Sequence, residues 1–166
     1  MNKPVLLVSE SQIKQQSIVE KNVDSKLLSK VIINVQELSL KGILGAELYD
    51  LIINAVNEKV INDVPLSESF TILLNQYIQP YLIHAVLADF IVINNYKISN
   101  KGVMKLNDNS ATNATADDIE YVKNYIDNYV VSYKKNLVQY LSENNLSGTC
   151  KVDTNITSGS IGWFLN

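Results

Sequence analysis

The chain has 166 residues, 46% of them hydrophobic and 19% charged, which is enough apolar material for one substantial core. Its net charge is −3, and all fourteen basic residues are lysines. Arginine is the usual side chain for bidentate contacts with phosphates and bases, so this composition argues against sequence-specific nucleic-acid recognition. The single cysteine, Cys150, excludes an intramolecular disulfide.

The first third of the chain predicts an arm followed by two helices. Residues 5–8 are an apolar run, either a strand or a packed arm, and residues 9–12 have the spacing of a capping box. A helix is predicted from Asp24 or Ser25, with Gly42 and Gly45 as candidate terminators, and a second over about 46–58. The predicted inward side chains are Leu27, Leu28, Val31, Val35 and Leu38 in the first helix, and Leu48, Leu51, Ile52, Ala55 and Val56 in the second.

The rest of the chain predicts two further helices and two irregular segments. Ser67 is a good N-cap for a helix that meets Pro80 and continues through residues 81–93, which are apolar nearly all round. Such a segment is typical of a central helix and is too short to span a membrane. Residues 99–115 are predicted to be irregular, and Thr115 caps a helix over 116–144. The expected fold is all-α: a bundle of about four main helices over residues 1–145, with an irregular loop and an extended C-terminal tail over 146–166.

Three residues are candidates for catalysis or metal binding. His84 is the only histidine and has no second ligand at metal-binding spacing, so it is predicted to be a core or interface residue with one hydrogen bond. Asp89 lies five positions on and is expected to face a groove or a neighbouring subunit. Cys150 has no nearby base to hold it as a thiolate. We therefore predict no enzyme activity, no metal and no cofactor.

Two features favour protein contacts. Tyr121 and Tyr125 begin a row of tyrosines at every fourth position, which drifts around the helix, so some rings leave the core stripe. These rings either pack at the edge of the core or form an interface. The chain ends on an apolar cluster, Ile161, Trp163, Phe164 and Leu165. Ordering residues 159–166 costs about as much free energy, through lost backbone entropy, as burying their apolar side chains gains. Contacts with a partner would therefore tip the balance toward docking. The tail either folds back on its own domain or docks on a neighbouring subunit.

Three segments resemble connector proteins from phages of gut Bacteroidetes, including the crAss-like group. They are residues 42–50 (GILGAELYD), 76–82 (QYIQPYL) and 100–103 (NKGV), and the resemblance covers about residues 24–106. It implies a helical head–tail connector subunit, without catalytic residues, in a virion assembled in the host cytoplasm. Copies would form a ring, twelve to match the portal, that extends the DNA channel and contacts the portal protein and the next tail or ring protein.

If the resemblance holds, the loop with Lys101, Gly102 and Lys105 is a candidate contact or channel-facing segment. DNA would pass through the channel without sequence recognition. No membrane partner is expected. The final helix would form a wall between neighbours, and the tail a strap. The competing interpretation is a small helical regulatory or scaffold protein that acts as a dimer or binds one partner.

Overall fold

The computed structural model describes residues 4–19, 23–94, 96–99, 102–105 and 115–146, and they are mostly helical. In chain order the helices are α1 (Glu10–Gln16), α2 (Ser25–Val35), α3 (Lys41–Leu44), α4 (Ala46–Asn62), α5 (Glu68–Ile72), α6 (Gln79–Asn94) and α7 (Ala116–Glu143). Two short strands, β1 (Tyr96–Ser99) and β2 (Gly102–Lys105), lie between α6 and α7. The predicted mostly helical class is confirmed.

Local side-chain chemistry fixes where the main helices begin. Ser9, Asp24, Ser67 and Thr115 each accept a hydrogen bond from a backbone amide in the first turn of the helix that follows. At Ser9 and Thr115 the residue three positions on bonds back to the cap, which completes a capping box. The predicted helix starts at these four residues are therefore confirmed.

A π-helical turn, Gln36–Leu40, joins α2 to α3, and it alters which side chains point inward. A π turn contains one extra residue, so it shifts the apolar stripe around the helix. Leu38, predicted to be inward, is 79% exposed. The prediction that Gly42 ends the helix is also wrong, because Gly42 lies inside α3; the helix ends at Gly45, whose φ of 79° suits glycine. Leu51 of α4 is likewise exposed instead of inward.

A second π-helical turn, Leu73–Ile78, joins α5 to α6 just before Pro80. Proline has no backbone N–H, so an α-helix that contains it leaves one carbonyl in the preceding turn without its partner. Here the amide of Gln79 reaches back five residues to the carbonyl of Leu74, and the helix continues through the proline. The segment from Glu68 to Asn94 is thus one unbroken helix of 27 residues.

This long helix is the centre of the fold. Eight side chains of α6 are buried around nearly its whole circumference: Tyr81, Leu82, Ile83, Ala85, Val86, Leu87, Ala88 and Phe90. α6 packs against α7 on one side and α2 on another. By length and composition alone the segment from Glu68 to Asn94 is apolar enough to cross a membrane, and half of its most apolar stretch is buried inside the fold. Core helices share this composition, and the packing of α6 accounts for it.

A β-hairpin corrects the predicted irregular stretch after residue 99. β1 and β2 pair antiparallel in the register Tyr96↔Lys105 to Ser99↔Gly102, which leaves residues 100 and 101 as the connection. Two four-residue segments joined by a two-residue polar loop that starts with asparagine are typical of a hairpin. That signal was missed because each strand is too short to show clear alternation.

The last helix, α7, agrees closely with its prediction. It runs over 28 residues, a length of about 42 Å at ~1.5 Å per residue. Its inner stripe buries Ile119, Ile126, Leu137 and Leu141, while Asn145 beyond its end takes a left-handed conformation. The tail residues Ile161, Trp163, Phe164 and Leu165, together with Lys101 and Cys150, lie outside the described residues.

Candidate interaction surfaces

The N-terminal arm, residues 4–8, is held in place by glutamine side chains from two helices. Gln36, which is only 2% exposed, accepts from the Leu7 amide and donates to the Val5 carbonyl, both at 2.9 Å. Gln79 donates to the Leu7 carbonyl at 3.0 Å. Gln36 also donates to the Tyr49 hydroxyl at 3.2 Å, and that hydroxyl donates to Glu37 at 2.7 Å. The arm thus has a fixed position against the helices.

The electrostatics of this network are set by Tyr49. Burial, followed by the hydrogen bond to Glu37, raises the pKa of Tyr49 to about 12. The phenol is therefore a neutral donor at any physiological pH. It joins the buried Gln36 amide to the carboxylate at the surface, so the side chains of Gln36, Tyr49 and Glu37 form one hydrogen-bonded chain.

Between the arm and α4 lies an apolar groove of about 510 Å³. We call it the arm groove, and the side chains that line it are Pro4, Val5, Leu6, Ile53, Asn54, Asn57, Val60 and Ile61. None of them is charged. Val60 is 75% exposed and Ile61 is 67% exposed, and exposure of branched apolar residues side by side is typical of a contact surface. No sequence pattern marks this groove, because its two sides come from residues about 50 positions apart that meet only in the fold.

A second surface is aromatic and lies where α7 crosses α6. The Nδ1–H of the half-buried His84 donates to the Pro80 carbonyl at 2.9 Å. The imidazole packs against Tyr133 and Tyr129, with ring centroids 4.7 and 5.4 Å away. Tyr125 meets Tyr129 edge-on and their hydroxyls are 2.8 Å apart. The row of tyrosines therefore leaves the core gradually, from half-buried Tyr133 to exposed Tyr125.

The outermost side of α7 carries a regular seam of exposed residues. Asp117, Tyr121, Asn124, Asn128, Val131 and Lys135 recur at alternating four- and three-residue steps, and all are exposed. This spacing keeps side chains on one face of a helix that packs against another helix. Tyr121 is 76% exposed and Val131 is 66% exposed, so this face, which we call the α7 seam, is a third surface on which apolar and polar side chains alternate. The predicted contact residues Tyr121 and Tyr125 both lie on the outer part of α7.

Asp89 lies on the exposed side of α6, close to the ion pair between Lys123 and Asp127 of α7. Partial burial beside α7 raises the pKa of Asp89, the Lys123 ammonium opposes that shift, and Asp127 adds to it. Among the described residues, no three His, Cys, Asp or Glu side chains lie close enough together to hold a metal ion. Gly102 and Lys105 belong to β2, so the predicted loop contact is in part a hairpin strand.

The fold and its surfaces define a mostly helical domain with an exposed apolar groove and an exposed helix face of mixed polarity. Residues 40–154, more than half of the chain, match DUF6712, a family of unknown function. The chain belongs to this family. The match crosses the predicted boundary between residues 145 and 146, so it includes the first part of the tail. Comparisons with curated proteins and with solved structures give no match.

Proposed function

We propose that this protein is a head–tail connector subunit of a tailed phage, a bundle of four main helices with an extended C-terminal tail. Twelve copies form a ring beneath the portal protein and above the next tail or ring protein. The ring extends a channel through which DNA passes without sequence recognition.

The observation that carries this proposal is the presence of two different exposed surfaces, the apolar arm groove and the mixed polar and apolar α7 seam. A ring is built from head-to-tail contacts, in which one surface of a subunit meets a different surface of the next. The arm groove lies between the arm and α4, and the α7 seam lies on the last helix, so the two surfaces can contact different elements of adjoining subunits. The resemblance of residues 42–50, 76–82 and 100–103 to phage connectors is the reason for placing the proposed ring at the head–tail junction.

Each part of the chain has a role in this ring. α7 forms the wall between neighbours through Tyr121 and Tyr125, and the hairpin with Lys101, Gly102 and Lys105 faces the channel or the next ring. The tail with Ile161, Trp163, Phe164 and Leu165 straps adjoining subunits. A wall without arginine lacks bidentate contacts with phosphates, so we expect its lysines to contact passing DNA only in a sequence-independent way.

Native mass measured by light scattering over a range of concentrations tests the ring. We expect a discrete species near twelve copies, and electron microscopy of that species should show an open channel. The substitution Tyr125→Asp should reduce its mass, because it places a charge on the exposed wall. The control Ile18→Asp, at a residue that is 70% exposed on another part of the fold, should leave it unchanged. A stable dimer at every concentration would remove the connector from consideration.

The α7 seam itself favours an alternative, a dimeric regulatory or scaffold protein. An antiparallel second copy centred on residue 126 would set Asp117 opposite Lys135, Tyr121 opposite Val131, and Asn124 opposite Asn128. This order is complementary to itself, as a two-fold contact requires, and paired asparagines fix the register of helix pairs.

Charge reversal separates the alternative from the ring. For the two-fold dimer, Asp117→Lys or Lys135→Asp alone should weaken self-association about tenfold, since each creates two like-charged contacts. The double variant should restore it, because both contacts again join opposite charges. If the double variant is no better than either single variant, the dimer contact is not the one described.

A further inference from the structure

We propose that the arm groove is the acceptor for the C-terminal segment 161–165 of a neighbouring copy, which pairs with the arm as an added strand. The inference rests on the proposed ring, and it assigns a site to the strap. Four observations lead to it: the groove's lining, the backbone of the arm, the pattern of the tail and the length of the connection.

The arm has backbone groups available for pairing. Gln36 bonds the carbonyl of Val5 and the amide of Leu7, which are the two groups that a neighbouring parallel strand would bond. In an extended segment the groups of the intervening residue point to the opposite side, so those of Leu6 face away from Gln36. Within the described residues the Leu6 amide and carbonyl make no hydrogen bond. One side of the arm is thus occupied by glutamine, and the other is open to an added strand.

The tail has the matching pattern. Ile161, Trp163 and Leu165 alternate with Gly162 and Phe164, so in a strand three large apolar side chains share one face. Strand addition of this kind takes its affinity from backbone pairing and its specificity from pockets that receive alternate side chains. The arm groove supplies such an apolar pocket beside the arm, since Val5 and Leu6 themselves line it.

Charge agrees with this pairing. Residues 154–165 contain no charged side chain, and neither does the lining of the arm groove. Burying such a segment there leaves no ion unpaired, which is the main cost of closing an apolar interface. Another groove, which Ile18, Val19 and Val23 form with the end of α6, is also apolar, but the arm does not line it.

The connection is longer than docking on the same copy requires. The Tyr140 ring near the end of α7 stacks on Tyr77 at 4.1 Å, and Gln79, two residues further, bonds the arm at Leu7. The end of α7 therefore lies close to the arm of its own copy. Residues 147–160 span up to about 46 Å when extended, at ~3.3 Å per residue. A flexible linker of this length averages about 20 Å from end to end, at roughly 5–6 Å times the square root of the residue number, so the segment is long enough to reach a groove on an adjoining copy.

Trp163 is the chain's only tryptophan, so its fluorescence reports the tail alone. The donor is full-length chain carrying Ile61→Lys, which keeps its tail and loses its groove. The acceptor is chain 1–158, which keeps the groove and has no tryptophan. Titrating acceptor into donor should give a saturable blue shift of the tryptophan emission and a one-to-one complex by light scattering.

Matched acceptors locate the contact. Chain 1–158 carrying Ile61→Lys should bind at least tenfold more weakly, whereas chain 1–158 carrying Leu51→Lys should bind as well as unsubstituted 1–158. Leu51 is 58% exposed on the same helix and does not line the groove, so this control separates the groove from a general effect of charge on α4. Circular dichroism of each variant should show unchanged helix content, because both side chains are exposed.

The contrary results are distinct. No blue shift with chain 1–158, or equal binding by both lysine acceptors, excludes the arm groove. Monomeric wild-type chain whose emission is already blue and does not respond to acceptor shows docking on the same copy, and overturns the neighbour assignment. If Ile61→Lys chains form rings as well as the wild type, the connector proposal stands and the arm groove is not the tail's site. If the tail binds the acceptor saturably but no rings form, the arm groove is the tail's site and the connector proposal is wrong.

Discussion

The two sides of the molecule are stabilised by different chemistry. The arm is held by hydrogen bonds from the side chains of Gln36 and Gln79. α7 is held by an apolar stripe and by stacked rings, including Tyr140 on Tyr77. Hydrogen bonds fix a segment's position and register along its length, whereas apolar packing fixes mainly its distance and orientation.

This difference matters for assembly. A surface that receives another chain by backbone pairing needs an edge with a defined register, and the pinned arm provides one. A surface that meets a second helix needs side chains that adapt, and tyrosine and asparagine combine contact area with flexible hydrogen bonding. We therefore expect the arm groove to be the more specific of the two surfaces.

The largest predicted effect is on the α7 side, at Leu137. Its side chain is fully buried, so Leu137→Ala should lower the free energy of unfolding by about 2–5 kcal/mol through lost burial and the cavity left behind. Urea denaturation measures the change. A loss below 1 kcal/mol would mean that α7 is not held by its inner stripe.

A smaller effect is predicted beneath the arm. Gln36→Ala leaves the Leu7 amide and the Val5 carbonyl without partners, and should cost about 1–3 kcal/mol. Hydrogen exchange should show faster exchange of the Leu7 amide than in the wild type, with the α7 amides unaffected. Uniform acceleration throughout the chain would indicate that the arm is not a separate unit.

The smallest predicted effect is at Tyr49, whose hydrogen bonds should stabilise the fold in a way that depends on pH, whereas apolar packing should not. Tyr49→Phe removes the hydroxyl between Gln36 and Glu37 and should cost about 0.5–1.5 kcal/mol at pH 8. Tyrosine ionises near pH 10 in the unfolded chain, and the pKa of Tyr49 in the fold is raised to about 12. The proton is held more tightly in the fold, so this contribution is complete below pH 10 and is lost as the pH rises toward 12.

Urea midpoints of wild type and Tyr49→Phe at intervals from pH 9 to 12 give the comparison, since lysines and the other tyrosines titrate in both proteins. The wild-type midpoint should fall more steeply. Parallel curves would show that the hydroxyl of Tyr49 does not contribute.

Sequence patterns predicted the capped helix starts and the extent of α7 well, because caps and apolar periodicity act over a few residues. They failed at Leu38 and Gly42, where a π turn adds a residue and shifts the helix face. The arm groove was not foreseen either, since Val5 and Ile61 come together only through tertiary packing. Tyr121 and Tyr125 were identified as contact candidates from their spacing, and whether they form an interface stays a prediction.

The π turn before Pro80 makes the length of the central helix as important as its composition. Each residue in an α-helix advances about 100° around the axis. Deleting one residue from Leu73–Ile78 would therefore rotate all of α6 relative to α5, and Asp89 would move into the position of Ala88, which is only 4% exposed. A carboxylate would then replace a small apolar side chain in the packed interior. Insertions and deletions in this segment should be tolerated far less than substitutions at its exposed positions.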